Sequence, residues 1–443
     1  MNKVLIITYH FPPFRTGGVY RHQKFVKYLR SFGWDPFVIT VRNPDKKIID
    51  PTLISDLPEN LTVYRTYSID LGGLRNMRFN TFVEREYKSC NHPPEKTYIS
   101  KFIAKLLNTG LLFPDDKVGW LPHTVVKARK IMKEENISVV CTTSPPHSTH
   151  LIGLALKRLV DFKWIADFRD PWMFSFMKKK LYESIPYRMW IEKTMEKRVI
   201  RSADMLIYVT DGIKNAYVQE YGEVLNQKQV VISNGYDEAD FQYPINEAAE
   251  SNAKFVMTYV GIVYPGKSRT FLESLRHLLD EKPDFKENSV LRFAGPPSLE
   301  NMALIRELNL EEYAEMLGFR NHDRILSDML ESDLLILLVG NEKDWIPGKL
   351  FEYIRSKRPI LVVGAEGDAS VIAEKSGLGV RVSPHDEREI KRKIFELYLK
   401  AQNGSLHLVP NETYIAGFNR KRLTNRFAQV LNTFVVDGVS PSN

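Results

Sequence analysis

The sequence has few cysteines, and this scarcity excludes the folds and sites that depend on thiols. Its 443 residues contain two cysteines, Cys90 and Cys141. A disulfide framework and an all-cysteine zinc site are therefore excluded, and a reducing compartment is the default expectation. The apolar fraction of 43% and the charged fraction of 26% are ordinary for a globular protein and argue against disorder.

The sequence also lacks a long hydrophobic run. Apart from the N-terminal segment, its longest apolar stretch covers residues 334–339, whereas a membrane-spanning helix needs about 20 residues. The apolar run near the N-terminus is too short for a signal peptide and is typical of a buried strand. We therefore expect a cytoplasmic protein, either soluble or bound peripherally at the inner face of the plasma membrane.

Neither sign of charge dominates the sequence strongly. The formal net charge is +8, which is a mild excess for a chain of this size. Such an excess suits anionic ligands or an anionic membrane surface, but it does not single out nucleic acid. We expect no nucleic-acid partner.

Short apolar segments alternate with amphipathic segments along most of the chain, which is the pattern of parallel strands joined by helices. A helix is predicted over 19–32, with Gly33 at its C-terminal cap. Others are predicted over 270–279, 322–331 and 350–356. Strands are predicted over 4–8, 36–41, 62–65, 138–142, 164–167, 205–209, 230–233, 255–260, 290–294, 334–339, 359–363 and 380–382.

Two such α/β series of similar size predict two Rossmann-like domains that face each other across a ligand crevice at the carboxyl ends of their strands. We expect an N-terminal domain over 1–235, a second domain over 236–410 and a C-terminal helical segment over 411–443. Residues 70–125 fit the alternation poorly and predict an insertion. Within it, residues 99–107 have one apolar helical face, which indicates either a helix packed on the core or one lying on a lipid surface.

Two loops have the residues of an anion site. Arg15-Thr-Gly-Gly18 precedes the first helix, and its glycines either let backbone N–H groups approach an anion or simply form a βα turn. This loop is not the G-x-G-x-x-G fingerprint, which disfavours a nicotinamide enzyme. Trp345-Ile-Pro-Gly-Lys-Leu-Phe-Glu-Tyr-Ile354 begins another helix. Pro347 suits its first position, and Gly348 and Lys349 would offer free amides to a diphosphate.

The spacing of two acidic residues carries a specific resemblance. Asp344 and Glu352 are separated by seven positions, as in the retaining GT-B glycosyltransferases of family 4, which this sequence resembles. The resemblance implies that Asp344 contacts the donor sugar and that Glu352 accepts the ribose hydroxyls. It also implies that amides from Gly348 to Leu350 hold the diphosphate. The family usually has Glu where Asp344 stands. The alternative for Glu352 is a pair with a nearby basic residue.

Other segments resemble the donor domain of the same family. Tyr259-Val-Gly-Ile-Val-Tyr-Pro-Gly-Lys267 is similar to its opening strand and loop, which assigns Gly261 to donor binding and Lys267 to the diphosphate. Ile262 replaces the family's usual Arg, and Arg269 could compensate. Phe293-Ala-Gly295 and Gly318-Phe-Arg320 are similar to the strand ends at the nucleotide base, which assigns Gly295 and Arg320 to donor binding.

The N-terminal half carries the residues that the resemblance assigns to the acceptor side and to catalysis. Gly17, Gly18 and Arg21 correspond to the acceptor-side loop. Arg169, followed by Asp170, stands near the position where many relatives have a His, and it could stabilise the leaving phosphate. The alternative is a structural pair of Arg169 with Asp170 or Asp167.

The resemblance implies a glycosyltransferase that uses a nucleotide-diphosphate sugar as co-substrate and a glycan or lipid-linked acceptor. It implies that the last helix, near 420–431, crosses back to the first domain. No Asp-x-Asp occurs at a nucleotide-site position, and no His/Cys cluster has ligand spacing, so we expect no metal and no cofactor. Arg169, Asp170, Lys267 and Asp344 are the predicted catalytic residues. The alternatives are a nucleotide-sugar epimerase and a non-catalytic nucleotide-sugar-binding subunit.

Overall fold

The computed structural model describes residues 1–14, 18–44, 49–69, 112–174, 182–183, 185–241, 254–264, 266–296 and 298–436. The chain divides into two compact units. The first unit comprises Met1–Ser233 and Thr424–Asn443, and the second unit comprises Asn234–Leu423. The predicted insertion and the segment 99–107 fall largely or wholly outside the described residues, as does Gly17.

The first unit has a parallel sheet in which seven strands lie in the described residues, in the order β3-β2-β1-β4-β5-β6-β7. This is the Rossmann strand order. Strands are added on one side of β1 up to β3 and on the other side from β4 onward. Its elements are β1 (Asn2–Ile7), α1 (Val19–Leu29), β2 (Trp34–Val41), α2 (Thr52–Ser55), β3 (Thr62–Thr66), α3 (Leu121–Glu134), β4 (Val139–Ser144), α4 (Ser148–Leu156), β5 (Lys163–Phe168), α5 (Pro186–Ser202), β6 (Met205–Tyr208), α6 (Asp211–Tyr221) and β7 (Gln229–Val231).

The second unit has a parallel sheet in which six strands are described, in the order β10-β9-β8-β11-β12-β13. The strands are all parallel, and the order in which they are added changes side between β8 and β11. Its elements are β8 (Phe255–Val260), α7 (Arg269–Glu281), α8 (Pro283–Glu287), β9 (Ser289–Ala294), α9 (Leu299–Glu307), β10 (Ala314–Gly318), α10 (His322–Leu330), β11 (Leu334–Gly340), α11 (Lys349–Ser356), β12 (Ile360–Gly364), α12 (Asp368–Lys375), β13 (Gly379–Val382), α13 (Glu387–Gln402) and α14 (Glu412–Ala416).

The last helix, α15 (Arg420–Val436), belongs to the first unit from Thr424 onward. There the ring of Phe427 stacks on the ring of Phe25 in α1, with their centroids 4.9 Å apart. The side-chain amide oxygen of Asn432 accepts a hydrogen bond of 2.8 Å from the Trp34 indole. Helix α15 therefore packs on α1 and on the start of β2.

The central strands of both sheets are buried on both faces, as is typical of parallel sheets. In β1, Leu5 and Ile7 pack into one hydrophobic cluster, while the alternate residues Val4 and Ile6 also have no exposed surface. The two α/β units confirm the predicted pair of Rossmann-like domains. In the described part of the chain, no helix is both long and apolar enough to cross a membrane.

Candidate active site

Two glycines bring together the loops that follow β8 and β9. Gly261 has a φ of +96°, a conformation that favours glycine. A Cβ at Gly295 would stand 2.6 Å from the carbonyl oxygen of Gly261. Since this approach leaves no room for a side chain, the two predicted donor-binding glycines lie backbone to backbone at the carboxyl edge of the second sheet.

Lys267 is fixed beside these loops by three groups. Its Nζ donates to the Val339 carbonyl at 2.6 Å and to Glu342 Oε2 at 2.7 Å, and it lies 3.8 Å from the Trp345 ring centroid. Gly340, with a φ of +74°, leaves space for the pair, since a Cβ there would meet Glu342 Oε2 at 3.0 Å. Burial lowers the pKa of Lys267, and Glu342 opposes that shift. Sequence reasoning did not identify Glu342.

Lys349 contributes its side chain as well as its amide. Its Nζ donates to the Val260 carbonyl and lies 3.4 Å from the centroid of the Tyr259 ring. A Cβ at Gly261 would be 3.7 Å from this Nζ. Burial lowers the pKa of Lys349 well below its usual value, and the nearby charge of Lys267 lowers it further. An anion bound beside these two amines would favour their protonated forms.

The start of α11 offers two backbone donors. The amides of Gly348 and Lys349 make no hydrogen bond with any described residue, whereas the Leu350 amide donates to the Pro347 carbonyl at 3.0 Å. The helix begins at Lys349, so Pro347 lies ahead of the helical position predicted for it. The free donors of this helix start are therefore those of Gly348 and Lys349, and Leu350 supplies none.

The two spaced acidic residues have different surroundings. Asp344 is exposed and makes no hydrogen bond or ion pair within the described residues. Glu352 is partly buried on α11, and its Oε1 lies 3.7 Å from Nε2 of His322 at the start of α10. The same nitrogen lies 3.5 Å from Asp240 Oδ2. His322 is thus the basic neighbour of Glu352, and sequence spacing did not reveal it.

Arg320 and Arg269, the other two basic residues that the sequence singled out in the second unit, lie in separate places. Arg320, just after β10, has its Nε 3.3 Å from Asp328 Oδ2. Burial raises the pKa of Asp328, and Arg320 opposes that shift. Arg269 instead pairs with the surface residues Glu273 and Glu307, and its side chain is 54% exposed. Arg269 therefore lies in surface ion pairs, and its compensation for Ile262 stays a prediction.

In the first unit, Arg169 lies against the start of α1. Its guanidinium lies so close to Gly18 that a Cβ there would stand 1.8 Å from Nη1. Its backbone amide donates to the Ser144 carbonyl at the end of β4. Nη2 is 3.6 Å from Asp170 Oδ2, and the Arg169 side chain is 16% exposed. Asp170 is thus the acidic neighbour of Arg169.

Arg21 lies inside the first unit and is only 1% exposed. Its Nε and Nη2 donate to Asp167 at 3.0 and 2.9 Å, and its Nη1 donates to the Ser233 carbonyl at 2.8 Å. Burial acts to raise the pKa of Asp167, but Arg21 and His22 outweigh it, so that pKa is lowered. Arg21, which the sequence predicted for the acceptor side, thus links β5 to the segment after β7.

Two buried carboxylates of α5 hold the loop that follows Arg169. Glu192 accepts a hydrogen bond of 2.9 Å from the Trp172 indole. Glu196 accepts one of 3.3 Å from the Met173 amide and one of 2.5 Å from the Tyr217 hydroxyl. Neither glutamate has exposed surface. Sequence reasoning missed both, although two glutamates four positions apart among aromatic residues are a visible signal.

Comparisons with known proteins agree with this architecture. Residues 90–240 match the family model described as Glycosyltransferase Family 4. No curated protein sequence matches the chain. Sucrose-phosphate synthase from Thermosynechococcus elongatus is similar in structure, with 14% identity, a TM-score of 0.65 and coverage of 99% of this chain and 100% of that one.

Two further solved structures are similar at low identity. The lipopolysaccharide outer core galactosyltransferase WaaB is 14% identical, with a TM-score of 0.58 and coverage of 97% and 99% of the two chains. A putative UDP-N-acetylglucosamine 2-epimerase from Listeria monocytogenes is 11% identical, with a TM-score of 0.56 and coverage of 100% and 98%. At these identities the likeness shows the shared fold.

Proposed function

We propose that this chain, which has the GT-B fold and matches the Glycosyltransferase Family 4 model over residues 90–240, is a glycosyltransferase. It transfers a sugar from a nucleotide-diphosphate sugar to an acceptor hydroxyl. The bond between the anomeric carbon and the diphosphate oxygen breaks, and the acceptor oxygen forms the new bond. The acceptor's proton passes to the departing diphosphate oxygen, and the nucleoside diphosphate is released. Retention of configuration and catalysis without a bound metal are part of the proposal.

The observation that carries the proposal is the cationic site at the carboxyl edge of the second sheet. The amines of Lys267 and Lys349 converge there with the free amides of Gly348 and Lys349. Charge builds on the diphosphate as its bond to the sugar breaks, and fixed positive groups stabilise that charge. These groups supply positive charge of the kind that a metal ion supplies in other enzymes.

The remaining roles follow the positions of the acidic residues. Glu352, partly buried and next to His322, accepts the two ribose hydroxyls, because an ionised carboxylate is an acceptor only. Asp344, exposed and without a partner among the described residues, contacts the donor sugar. Arg320 and Gly295 line the base, and Gly261 lies beside the diphosphate.

For the first unit we propose that Arg169 stabilises the leaving phosphate, with Asp170 as its neighbour. Gly17 and Gly18 form the acceptor-side loop, while Arg21 acts through the buried contacts that hold β5 in place. The proposed acceptor is a glycan or a lipid-linked sugar in surface polysaccharide or glycolipid assembly. Residues 99–107 are a proposed contact with the inner face of the plasma membrane.

The experiment that tests the activity follows the fate of the donor. Purified protein is incubated with UDP-, GDP- and ADP-sugars, with and without an extract of glycan and lipid-linked acceptors, and the products are separated. Transfer to an acceptor, or slow release of nucleoside diphosphate without one, supports the proposal. A donor returned with an inverted sugar carbon would instead indicate an epimerase. Nucleotide binding without any turnover would indicate a non-catalytic subunit.

Lys267→Ala should reduce turnover about 100-fold or more, because it removes a positive group next to the departing diphosphate. The variant's unfolding free energy should change far less than the activation free energy that corresponds to its lost turnover. Arg269→Ala is the matched control, since Arg269 makes only surface pairs, and it should retain full activity. Full activity in Lys267→Ala would remove this lysine from the diphosphate site.

A further inference from the structure

Helix α5 turns its acidic side chains inward. Its two acidic residues, Glu192 and Glu196, have no exposed surface. Glu192 pairs with Arg188 at 2.6 Å, and Glu196 accepts from the hydroxyls of Tyr217 and Tyr221 at 2.5 Å. The side of this helix that faces away from the core therefore carries no carboxylate of its own.

The opposite side of the helix exposes aromatic and basic residues together. Trp190 is 71% exposed, which is unusual for the largest apolar side chain. Trp190, Lys193, Lys197 and Arg201 follow the spacing of one helical stripe. We give the name α5 outer face to the following exposed residues of this helix: Tyr187, Met189, Trp190, Lys193, Lys197, Arg198 and Arg201.

Another long surface helix shows what an ordinary solvated face looks like in this chain. On α13, Glu396 pairs with Lys393 and Lys400, each at 2.8 Å, so that basic and acidic groups neutralise one another within the helix. On α5, Lys193 finds an acidic partner, Glu220 of α6. Because both carboxylates of α5 point inward, no acidic residue of the same helix neutralises the basic residues of its outer face.

We propose that the α5 outer face binds an anionic lipid surface. Trp190 and Met189 would enter the boundary between headgroups and acyl chains, where amphipathic aromatic rings are most stable. Lys197, Arg198 and Arg201 would remain among the negatively charged headgroups, with their alkyl stems lying along the apolar layer. Aromatic insertion and basic attraction come from the same side of one helix.

Charge argues against a second copy of the chain as the occupant. In a twofold dimer the same patch meets itself, so the basic residues of both copies would be brought together without carboxylates from α5 between them. An anionic membrane supplies the complementary charge. This inference goes beyond the proposed function, because it depends on no step of sugar transfer. It also concerns described residues outside the segment 99–107.

The test uses the full chain and lipid vesicles. Cosedimentation is measured with vesicles of phosphatidylglycerol mixed with phosphatidylcholine and with vesicles of phosphatidylcholine alone. The variants are Trp190→Ala and the double reversal Lys197→Glu with Arg201→Glu. A neutral pair, Lys197→Gln with Arg201→Gln, keeps the charge test available if the reversal does not fold.

Helix α3 of the same unit provides matched controls, because it also exposes an apolar residue and basic residues. These are Val126→Ala, at a position that is 73% exposed, and Lys130→Glu with Lys133→Glu. If α3 rather than α5 contacted the membrane, the α3 variants would lose vesicle binding and the α5 variants would keep it.

We expect wild type to bind the anionic vesicles and not phosphatidylcholine alone. Neutralising two basic residues should weaken binding about 25-fold, or about fivefold for each charge removed, and Trp190→Ala should weaken it about tenfold. The α3 variants should bind as wild type does. Absence of wild-type binding, equal binding to both vesicle types, or equal losses in α3 and α5 variants would overturn the proposal. So would a dimer in solution that Trp190→Ala dissociates.

Discussion

At the scale of single residues, the position of Arg169 depends on the absent side chain of Gly18. A Cβ at Gly18 would overlap the guanidinium. We therefore expect Gly18→Ala to displace Arg169 and to lower turnover by about tenfold to 100-fold, while the unfolding free energy changes by no more than about 1 kcal/mol. Steady-state kinetics and chemical unfolding measure the two quantities.

A double-mutant cycle separates this effect from a general distortion of the loop. If Gly18→Ala acts through Arg169, then adding it to Arg169→Ala should cause little further loss of activity. Additive losses in the double variant would show that Gly18 serves the site independently of Arg169.

His150 predicts a specific acid sensitivity. Its ring is buried, and its Nδ1 lies 2.8 Å from the Thr142 hydroxyl. Burial lowers the pKa of His150 to about 3, although Asp167 acts in the opposite direction. The unfolded chain therefore binds a proton here at a higher pH than the folded chain does. Stability falls as the pH drops below the ordinary histidine pKa, and this one group should cost about 2 kcal/mol between about pH 7.5 and about pH 5.

His150→Gln keeps a hydrogen-bonding group but cannot titrate. Its unfolding free energy, measured with denaturant at both pH values, should lose about 2 kcal/mol less than wild type over the same interval. His123→Gln is the control, because His123 is exposed. Equal pH dependence in wild type and His150→Gln would show that the buried ring does not titrate as described.

Residue positions were predictable where a local rule sets them. Gly348 and Lys349 could be expected at a helix start, because Pro347 and Gly348 directly precede a segment with helical spacing of apolar residues. Glu342 and His322 could not be found in this way. Glu342 meets Lys267 only because the loops after β8 and β11 share one edge, and His322 meets Glu352 across two helices. Such contacts arise from topology rather than from local sequence.

At the scale of elements, buried strands were the easiest to predict. The predicted strand 255–260 coincides with β8 (Phe255–Val260), whose residues are all buried. Strand β10 (Ala314–Gly318) was missed. It lies at the edge of its sheet, and its residues Glu315 and Met316 are exposed, so it lacks a continuous apolar run. A strand that packs on one side carries a weaker signal.

Helix α15 gives a prediction at this scale. Phe427→Ala removes the ring that stacks on Phe25, and it should lower the stability of the first unit by about 3–5 kcal/mol. Nucleotide affinity, which we assign to the second unit, should change little in the folded variant. Val435→Ala is the control on the same helix, since Val435 is 40% exposed. Differential scanning calorimetry with and without nucleotide measures both effects.

If Phe427→Ala unfolded with the wild-type midpoint, the packing of α15 on the first unit would contribute nothing to stability. If it abolished nucleotide binding while still folded, the division of labour between the two units would be wrong. The first result would concern only the packing of the helix, and the second would concern only the donor site.

At the scale of the whole molecule, the two repeated α/β series predicted the two Rossmann-like units because the central strands of each parallel sheet are buried and read as short apolar runs. In each sheet the strand order reverses beside the first strand, at β1 with β4 and at β8 with β11. Ligands bind at the carboxyl ends of strands near such a reversal. The identity of the sugar, base and acceptor lies in side-chain contacts that neither composition nor strand order determines.

The most direct test of the central claim is the thermal stabilisation of wild type and Glu352→Ala by UDP, GDP and ADP. A nucleotide at about 100 times its dissociation constant should stabilise wild type by about 2.7 kcal/mol. Glu352→Ala should bind about 1.5–3 kcal/mol more weakly, the scale of a charged hydrogen bond, and should lose most of this shift. Stabilisation by one nucleotide that disappears in the variant is the predicted result. Stabilisation by none of the three, or an equal shift in Glu352→Ala, would contradict the assignment of the donor site.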